Sequence, residues 1–202
     1  MRPQDGARLL LLATIWGSSF LFIKVALGEM SPVQIVFARL VLGAGVLWAI
    51  LAVRGRLRSG ALEAWRPLLV MAVVANVVPF ALITWGEQRI SSSLAAVLNS
   101  TTPLFTAALA AALVPGERPG PLRVGGILLG FVGVAVIVGV KPDAAELGGE
   151  LAVVGASLAY ATGFVYARRR LTGGHHSPLE LSAVQLALAS AVVLPLAAWN
   201  TL

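Results

Sequence analysis

Long apolar stretches without charged side chains alternate with short loops along this chain. No Asp, Glu, Lys or Arg lies between Arg66 and Glu87, Arg89 and Glu117, Arg123 and Lys141, or Glu150 and Arg168. Hydrocarbon offers a peptide group no hydrogen-bond partner, so a chain that crosses a bilayer must form helices or a closed barrel. Runs of about 17–25 apolar residues are typical of spanning helices. The pattern therefore predicts an all-α, polytopic transmembrane helical bundle.

We predict seven transmembrane helices, at residues 9–27, 32–53, 67–86, 91–114, 122–140, 151–167 and 179–199. The first could be a secretory signal, because Arg2 and Arg8 precede it. It is longer than the apolar region of a typical signal peptide, however, and no small-residue cleavage site follows it. We therefore interpret it as a retained helix.

Composition agrees with a membrane protein, since 58% of the residues are hydrophobic and 12% are charged. A soluble domain has about 25% charged residues. The chain contains no Cys, which excludes a disulfide framework and a thiolate metal site. The net charge of +6 could indicate nucleic acid. Because the positive charges alternate between loops, they indicate membrane topology instead, and we expect a lipid bilayer and no nucleic acid as partner.

Lys and Arg are strongly biased to one set of alternate loops. One set holds Arg2, Arg8, Arg54, Arg56, Arg58, Arg66, Arg118, Arg123, Arg168, Arg169 and Arg170, and the other holds Arg89 and Lys141. Loops rich in these residues stay in the cytoplasm. The chain is therefore predicted to be a multi-pass protein of a bacterial inner membrane, with its N-terminus cytoplasmic and its C-terminus extracytoplasmic.

The first and sixth helices have a weak sequence similarity. Trp16 aligns with Tyr160, Ser31-Pro32 aligns with Ser177-Pro178, and Arg39 aligns with Gln185. An odd number of crossings separates the two copies, so they run in opposite directions through the membrane. Inverted repeats of this kind are typical of secondary transporters, in which one half moves against the other around a central site.

The chain resembles the EamA family of the drug/metabolite transporter superfamily. The resembling residues are Trp16-Gly17-Ser18-Ser19, Phe22, Lys24, Ser31-Pro32, Phe37-Ala38-Arg39, Asn76, Pro79, the segment 87–96, Thr102-Pro103-Leu104-Phe105, Gly116-Glu117-Arg118 and the segment 125–139. The resemblance implies a ten-helix protein of two five-helix repeats that exports or exchanges small metabolites. It implies a first repeat at 8–141, with helices one to five, and a partial second repeat at 149–202, with helices six and seven.

The last three helices of that architecture are missing, so we expect a truncated chain or one that works by pairing as a homodimer. The small-residue faces of helices six and seven are then expected to lack a partner within the chain. These faces are formed by Ala156, Ala159, Gly163, Ala183, Ala187 and Ser190.

A polar side chain within a membrane-spanning helix is costly and is a candidate for function. Arg39 lies about two turns inside the second helix. It could attract a carboxylate or phosphate group, pair with Glu87, or extend toward the membrane surface along its aliphatic stem. Lys24 is close to the end of its helix, so we expect it to extend toward the surface.

The fourth helix carries Asn99, Thr102, Pro103 and Thr106 at spacings that place them on one face. Pro103 has no amide hydrogen for the carbonyl of Asn99, which leaves a polar group for a substrate unless neighbouring Ser and Thr hydroxyls satisfy it. Pro79 has the same effect beside Asn76 in the third helix. We predict Asn76, Asn99, Thr102 and Pro103 as cavity residues.

Trp16 and Tyr160 are candidate aromatic residues of the same cavity, with packing in the core as the alternative, and Gln185 is a candidate as the counterpart of Arg39. Gly126 and Gly130 form a GxxxG step that favours close helix packing, within the bundle or in a dimer.

No motif indicates an enzyme, a cofactor or a metal site, because His175 and His176 are adjacent and have no acidic or thiol partner at metal spacing. We therefore predict a membrane transporter that exports a small metabolite or drug by alternating access. The alternatives are a truncated, non-transporting membrane protein and a half-assembly that is active only as an oligomer.

Overall fold

The structure, a computed structural model, describes residues 3–56, 60–116, 119–138, 143–171 and 177–199. Within these residues all regular structure is helical. Seven segments are long and apolar enough to cross a membrane: Gln4–Ala26, Pro32–Val53, Gly60–Glu87, Ser92–Leu113, Pro121–Val138, Ala144–Arg170 and Pro178–Trp199. They coincide with the seven predicted spans to within a few residues, except that the third begins earlier and the sixth extends further at both ends. The predicted polytopic helical bundle is confirmed.

Five of the seven spans are single α-helices and two are interrupted. The uninterrupted ones are α1 (Pro3–Ala26), α2 (Pro32–Val53), α7 (Pro121–Val138), α8 (Ala144–Arg170) and α9 (Pro178–Trp199). The third span consists of a 3₁₀ turn (Gly60–Ala64), α3 (Trp65–Ala72), a π-helical turn (Val73–Val77) and α4 (Val78–Glu87). The fourth span consists of α5 (Ser92–Asn99) and α6 (Thr102–Leu113).

Both interruptions lie just before a proline. Pro79 is in the first turn of α4, directly after the π-helical turn, and Pro103 is in the first turn of α6. Proline has no amide hydrogen and fits the start of a helix, where that hydrogen has no partner. At the second interruption the hydroxyls of Thr101 and Thr102 donate to the carbonyls of Leu98 and Asn99, at 2.7 and 2.8 Å. The threonines thus satisfy carbonyls that the break in the helix releases.

Helices α8 and α9 pack closely against the earlier spans. A Cβ added to Gly163 of α8 would lie 2.6 Å from the Cβ of Ala75 in the π-helical turn, and one added to Gly86 would lie 2.8 Å from the carbonyl oxygen of Gly149. Ala156 of α8 and Ala183 of α9 are fully buried. The prediction that these small-residue faces lack a partner within the chain is therefore wrong, because the third span covers α8 and the second and third spans cover α9.

Helix α7 lies at the edge of the bundle and has no buried residue in the range 121–138. It contacts α6 through Phe131, whose ring centroid is 5.0 Å from that of Phe105, and through Gly130, where a Cβ would lie 2.6 Å from a methyl carbon of Leu104. Gly126 has no such neighbour within 4 Å. Of the two GxxxG glycines, only Gly130 packs within the bundle.

Candidate substrate cavity

The side chain of Arg39 extends into the helix bundle. Its Nη2 donates a hydrogen bond to the hydroxyl of Ser19 in α1 at 3.1 Å, and its guanidinium carbon lies 4.1 Å from the centroid of the Phe80 ring in α4. Its Nη1 is buried and has no hydrogen-bond partner among the described residues. A guanidinium over an aromatic face is stabilised by the electrons of the ring, yet it retains donors that an anion can use.

Arg39 forms no ion pair with Glu87 in the described part of the chain, where the ion pairs are Arg8 with Asp5 and Arg56 with Glu180. Glu87 is fully buried at the end of α4, and neither of its carboxylate oxygens has a hydrogen-bond partner among the described residues. Direct pairing, one of the three alternatives for Arg39, is therefore excluded in this conformation. The guanidinium also does not extend to the membrane surface, because Ser19 and Phe80 hold it inside.

A cavity of about 480 Å³ opens beside Arg39 between α1, α2, the third span, α8 and α9. Five of the eight residues predicted from the sequence line it: Trp16, Arg39, Asn76, Tyr160 and Gln185. These residues come from five different spans, so the fold brings together side chains that are far apart in the sequence.

Aromatic side chains contribute to the lining of this cavity. Tyr160 is buried and its ring is stacked on that of Phe164, one turn later in α8, with centroids 6.2 Å apart. Trp16 is 47% exposed and lines the cavity from α1. The close approach of Gly163 to Ala75 keeps this region of α8 beside the π-helical turn. Tyr160 contributes both to the core and to the cavity, so both alternatives for this residue hold.

Asn76 and Gln185 form a polar pair in the lining of the same cavity. The side-chain amide nitrogen of Gln185 donates a hydrogen bond to the side-chain oxygen of Asn76. This bond joins the π-helical turn to α9. Gln185 therefore takes part in the cavity beside its proposed counterpart, Arg39.

Asn99, Thr102 and Pro103 do not line this cavity. Asn99 is buried between α5 and α8, where the hydroxyl of Ser157 lies 3.3 Å from both its side-chain oxygen and its carbonyl oxygen. Thr102 donates to the same carbonyl. The prediction of an uncommitted carbonyl at Asn99 is therefore wrong, because neighbouring hydroxyls satisfy it.

Sequence reasoning missed several cavity residues: Ser19, Phe80, Phe164 and Ser182. Helical spacing could have found all four. Ser19 is three residues after Trp16, Phe80 is four after Asn76, Phe164 is four after Tyr160 and Ser182 is three before Gln185, so each shares a helix face with a predicted residue.

Lys24 lies near the end of α1 and bonds to a neighbouring span. Its ammonium group donates hydrogen bonds to the carbonyl oxygens of Glu87 and Ile90, the latter at 3.0 Å. Carbonyls at a helix end have no partner within the helix and attract positive charge. Lys24 is exposed and joins α1 to the end of the third span, and its predicted extension toward the membrane surface stays a prediction.

A second cavity of about 510 Å³ lies between α1 and α2. It shares Ile15, Ser19 and Arg39 with the first cavity and continues to Ala26 and Met30 at the other end of α1. The hydrogen bond between Arg39 and Ser19 therefore lies where the two cavities meet.

A bundle of spanning helices around a cavity lined by a cationic group, aromatic side chains and an amide pair is typical of an integral membrane transporter, because polar groups inside a membrane mark substrate paths. Residues 7–139 match the model of the EamA-like transporter family. The chain belongs to this family, as its resemblance implied.

Known relatives are also named as transporters. An uncharacterized transporter of Archaeoglobus fulgidus is 28% identical over 201 residues, which cover 98% of this chain and 68% of the relative. The uncharacterized transporter YvbV of Bacillus subtilis is 29% identical over 206 residues, covering 98% and 65%. The uncharacterized inner membrane transporter YedA of Escherichia coli is 29% identical over 171 residues, covering 83% and 54%. The chain spans about two thirds of the length of the first two relatives.

Proposed function

We propose that this membrane transporter exports small metabolites or drugs by alternating access, and that its substrate carries an anionic group that binds Arg39. The buried, unpartnered Nη1 of Arg39 is the observation that supports this proposal. Inside a cavity with apolar walls, a charged donor binds an anion more strongly than it would in water, because little solvent competes with it.

Two inverted repeats, at 8–141 and 149–202, are the proposed basis of alternating access. The same capping pattern at α2 and α9 supports them. Ser31 accepts from the amide of Gln34 at 3.4 Å, and the Gln34 side chain accepts from the amide of Ser31 at 2.9 Å. Ser177 and Glu180 form the same reciprocal pair, at 3.3 and 3.1 Å. In each pair the serine lies just before the helix and its partner lies in the first turn, so the two residues form a capping box.

We further propose an inner-membrane location with a cytoplasmic N-terminus. Arg54, Arg56, Arg123 and the three arginines 168–170 lie at helix ends that alternating crossings bring to one side of the bundle. Such a side faces the cytoplasm when the positive charges decide the orientation. The description of the relative YedA as an inner membrane transporter agrees with this location.

Ligand binding to the purified chain in mild detergent tests the proposed role of Arg39. Carboxylates and phosphate monoesters, each beside a neutral analogue of similar size, are titrated while the fluorescence of Trp16 is followed against a Trp16→Phe control. We expect some anions to bind and their neutral analogues to bind weakly. Arg39→Ala should weaken that binding about tenfold to a hundredfold, the range for losing a charged hydrogen bond, and Arg39→Lys should retain some of it.

Equal binding of the anions to wild type and Arg39→Ala would contradict the proposed role. Transport of the bound anions is then measured by counterflow in proteoliposomes. Binding without counterflow would favour a non-transporting membrane protein over a transporter, and light scattering on the same sample distinguishes a monomer from a homodimer.

A further inference from the structure

A groove of about 240 Å³ lies between α6 and α8, at the ends where both helices finish. Its apolar region is formed by Leu109 and Leu113 of α6 and by Val165 of α8. Val165 is buried, whereas Leu113 is 47% exposed on the side that faces away from the bundle. The groove is therefore open to the surrounding membrane and separate from the cavity that Arg39 lines.

The mouth of the groove is formed by polar side chains of the last turns of α8. Tyr166, Arg169 and Arg170 line it, and both arginines are exposed. In the described part of the chain, no carboxylate lies within ion-pair distance of Arg169 or Arg170. The groove thus joins an apolar region to Tyr166 and to two arginines that have no carboxylate partner among the described residues.

The position of the mouth relative to the membrane follows from the helices. Helices α6 and α8 run in the same direction, and Arg169 and Arg170 occupy the last turn of α8. This end of a spanning helix lies at the level of the lipid headgroups. The apolar region of the groove begins about a helical turn deeper, so it lies at the level of the first methylene groups.

We propose that this groove is a binding site for an anionic phospholipid. The phosphate lies between Arg169 and Arg170 with the hydroxyl of Tyr166 as a further donor, and the upper half of one acyl chain lies against Leu109, Leu113 and Val165. Basic pockets between spanning helices bind anionic headgroups in this way. The site is independent of the substrate and of the transport direction proposed above.

Topology alone is a competing explanation for the arginines, because loops rich in Arg remain in the cytoplasm whether or not they bind a lipid. The two explanations differ in where the lipid binds. If the arginines act only as a topology signal, anionic lipid should bind equally near every arginine of that side. If the groove is a binding site, anionic lipid should bind mainly in the groove between α6 and α8. Arg123 is a matched control, because it is exposed on α7 at the same side and does not line the groove.

The experiment measures lipid that remains bound to the purified 202-residue chain in mild detergent. The protein is incubated with equal amounts of palmitoyl-oleoyl phosphatidylglycerol and the phosphatidylcholine with the same chains, and bound lipid is counted by native mass spectrometry. We expect phosphatidylglycerol to be preferred in wild type. The variant Arg169→Gln/Arg170→Gln should lose this preference, because each arginine is expected to raise the ratio of bound phosphatidylglycerol to bound phosphatidylcholine about fivefold. Arg169→Lys/Arg170→Lys should keep most of it, and Arg123→Gln should leave it unchanged.

Two further measurements test the apolar region of the site. Thr162→Trp, at an exposed groove residue, should reduce retention of both lipids by filling the channel. Glycerol 3-phosphate, which has the headgroup charge without acyl chains, should not displace bound phosphatidylglycerol. The proposal is overturned if Arg123→Gln lowers the preference as much as the Arg169/Arg170 double variant does, or if glycerol 3-phosphate displaces the lipid completely.

Discussion

At the residue scale, the polar groups inside this bundle differ in whether the chain itself satisfies them. The carbonyl of Asn99 accepts from Thr102, and its side-chain oxygen lies within hydrogen-bond distance of the Ser157 hydroxyl, whereas Arg39 keeps a buried nitrogen without a partner among the described residues. A satisfied group inside a protein stabilises the fold, and an unsatisfied one is costly unless a ligand uses it. This difference separates a structural asparagine from a candidate binding residue.

Replacing Ser157 by Ala should lower the free energy of unfolding, because its hydroxyl is shared between oxygens of Leu98 and Asn99 across the helix contact and the carbonyl of Val153 in its own helix. We expect a loss of about 0.5–2 kcal/mol. The lower value is the free energy of a hydrogen bond between membrane helices, and the upper value is the cost of a buried polar group without a partner. Unfolding in mixed detergent and SDS micelles, followed by circular dichroism, measures it. Ser190→Ala is the matched control, because among the described residues its hydroxyl bonds only to the carbonyl of Leu186 in its own helix. Equal losses in both variants would show that the Asn99 contact adds no stability.

Sequence reasoning distinguished these residues incompletely. It selected Arg39 and Asn76 because polar residues within apolar spans are costly, and both line the cavity. It selected Asn99 by the same rule, and there the rule led to a wrong interpretation. The partner of Asn99 is Ser157, 58 residues later in the chain, so no local pattern could reveal that the group is satisfied.

At the element scale, small residues decide how closely the spans approach each other. Gly163 and Gly155 are both on α8, but an added Cβ at Gly163 would lie 2.6 Å from the Cβ of Ala75, and one at Gly155 would lie 3.7 Å from a methyl carbon of Leu82. The first distance is a clash and the second is an ordinary contact. The two glycines are therefore expected to respond differently to the same substitution.

Gly163→Ala should push α8 away from the π-helical turn and destabilise the protein by about 1–3 kcal/mol, as overpacking does. Gly155→Ala should be neutral or stabilise the helix by up to about 1 kcal/mol, because alanine favours helices. The same micelle unfolding assay compares them. Because Tyr160 and Asn76 adjoin the clash, anion binding should also weaken in Gly163→Ala alone. A Gly163→Ala protein with wild-type stability and binding would contradict this account.

The spans themselves were predictable, because hydrocarbon imposes helices of a narrow range of lengths on any apolar run. Their interruptions were predictable in position but not in kind. Pro79 and Pro103 both mark a break, yet the first follows a π-helical turn and the second follows a break in the helix that two threonines satisfy. Which form arises depends on neighbouring helices, which a local sequence pattern does not contain.

At the scale of the whole molecule, the distribution of arginines predicts which ends of the helices face the cytoplasm. The chain has no Cys, so single cysteines can be introduced without a background. Cysteines at Ser31 and Ala144 should react with an impermeant maleimide in intact cells. A cysteine at Ser59, which lies outside the described residues, should react only after permeabilisation. Labelling of the Ser59 variant alone in intact cells would reverse the proposed orientation.

The π-helical turn affects how the third span aligns with related sequences. Met71 and Phe80 both line the cavity although nine positions separate them, and in a regular α-helix such residues point about 180° apart. The π-helical turn takes up about one additional residue and so brings them to the same side. A relative with an unbroken α-helix here would need one residue fewer between these positions to present the same two side chains. Alignment without a gap would then match one of them to a residue that faces lipid or the core.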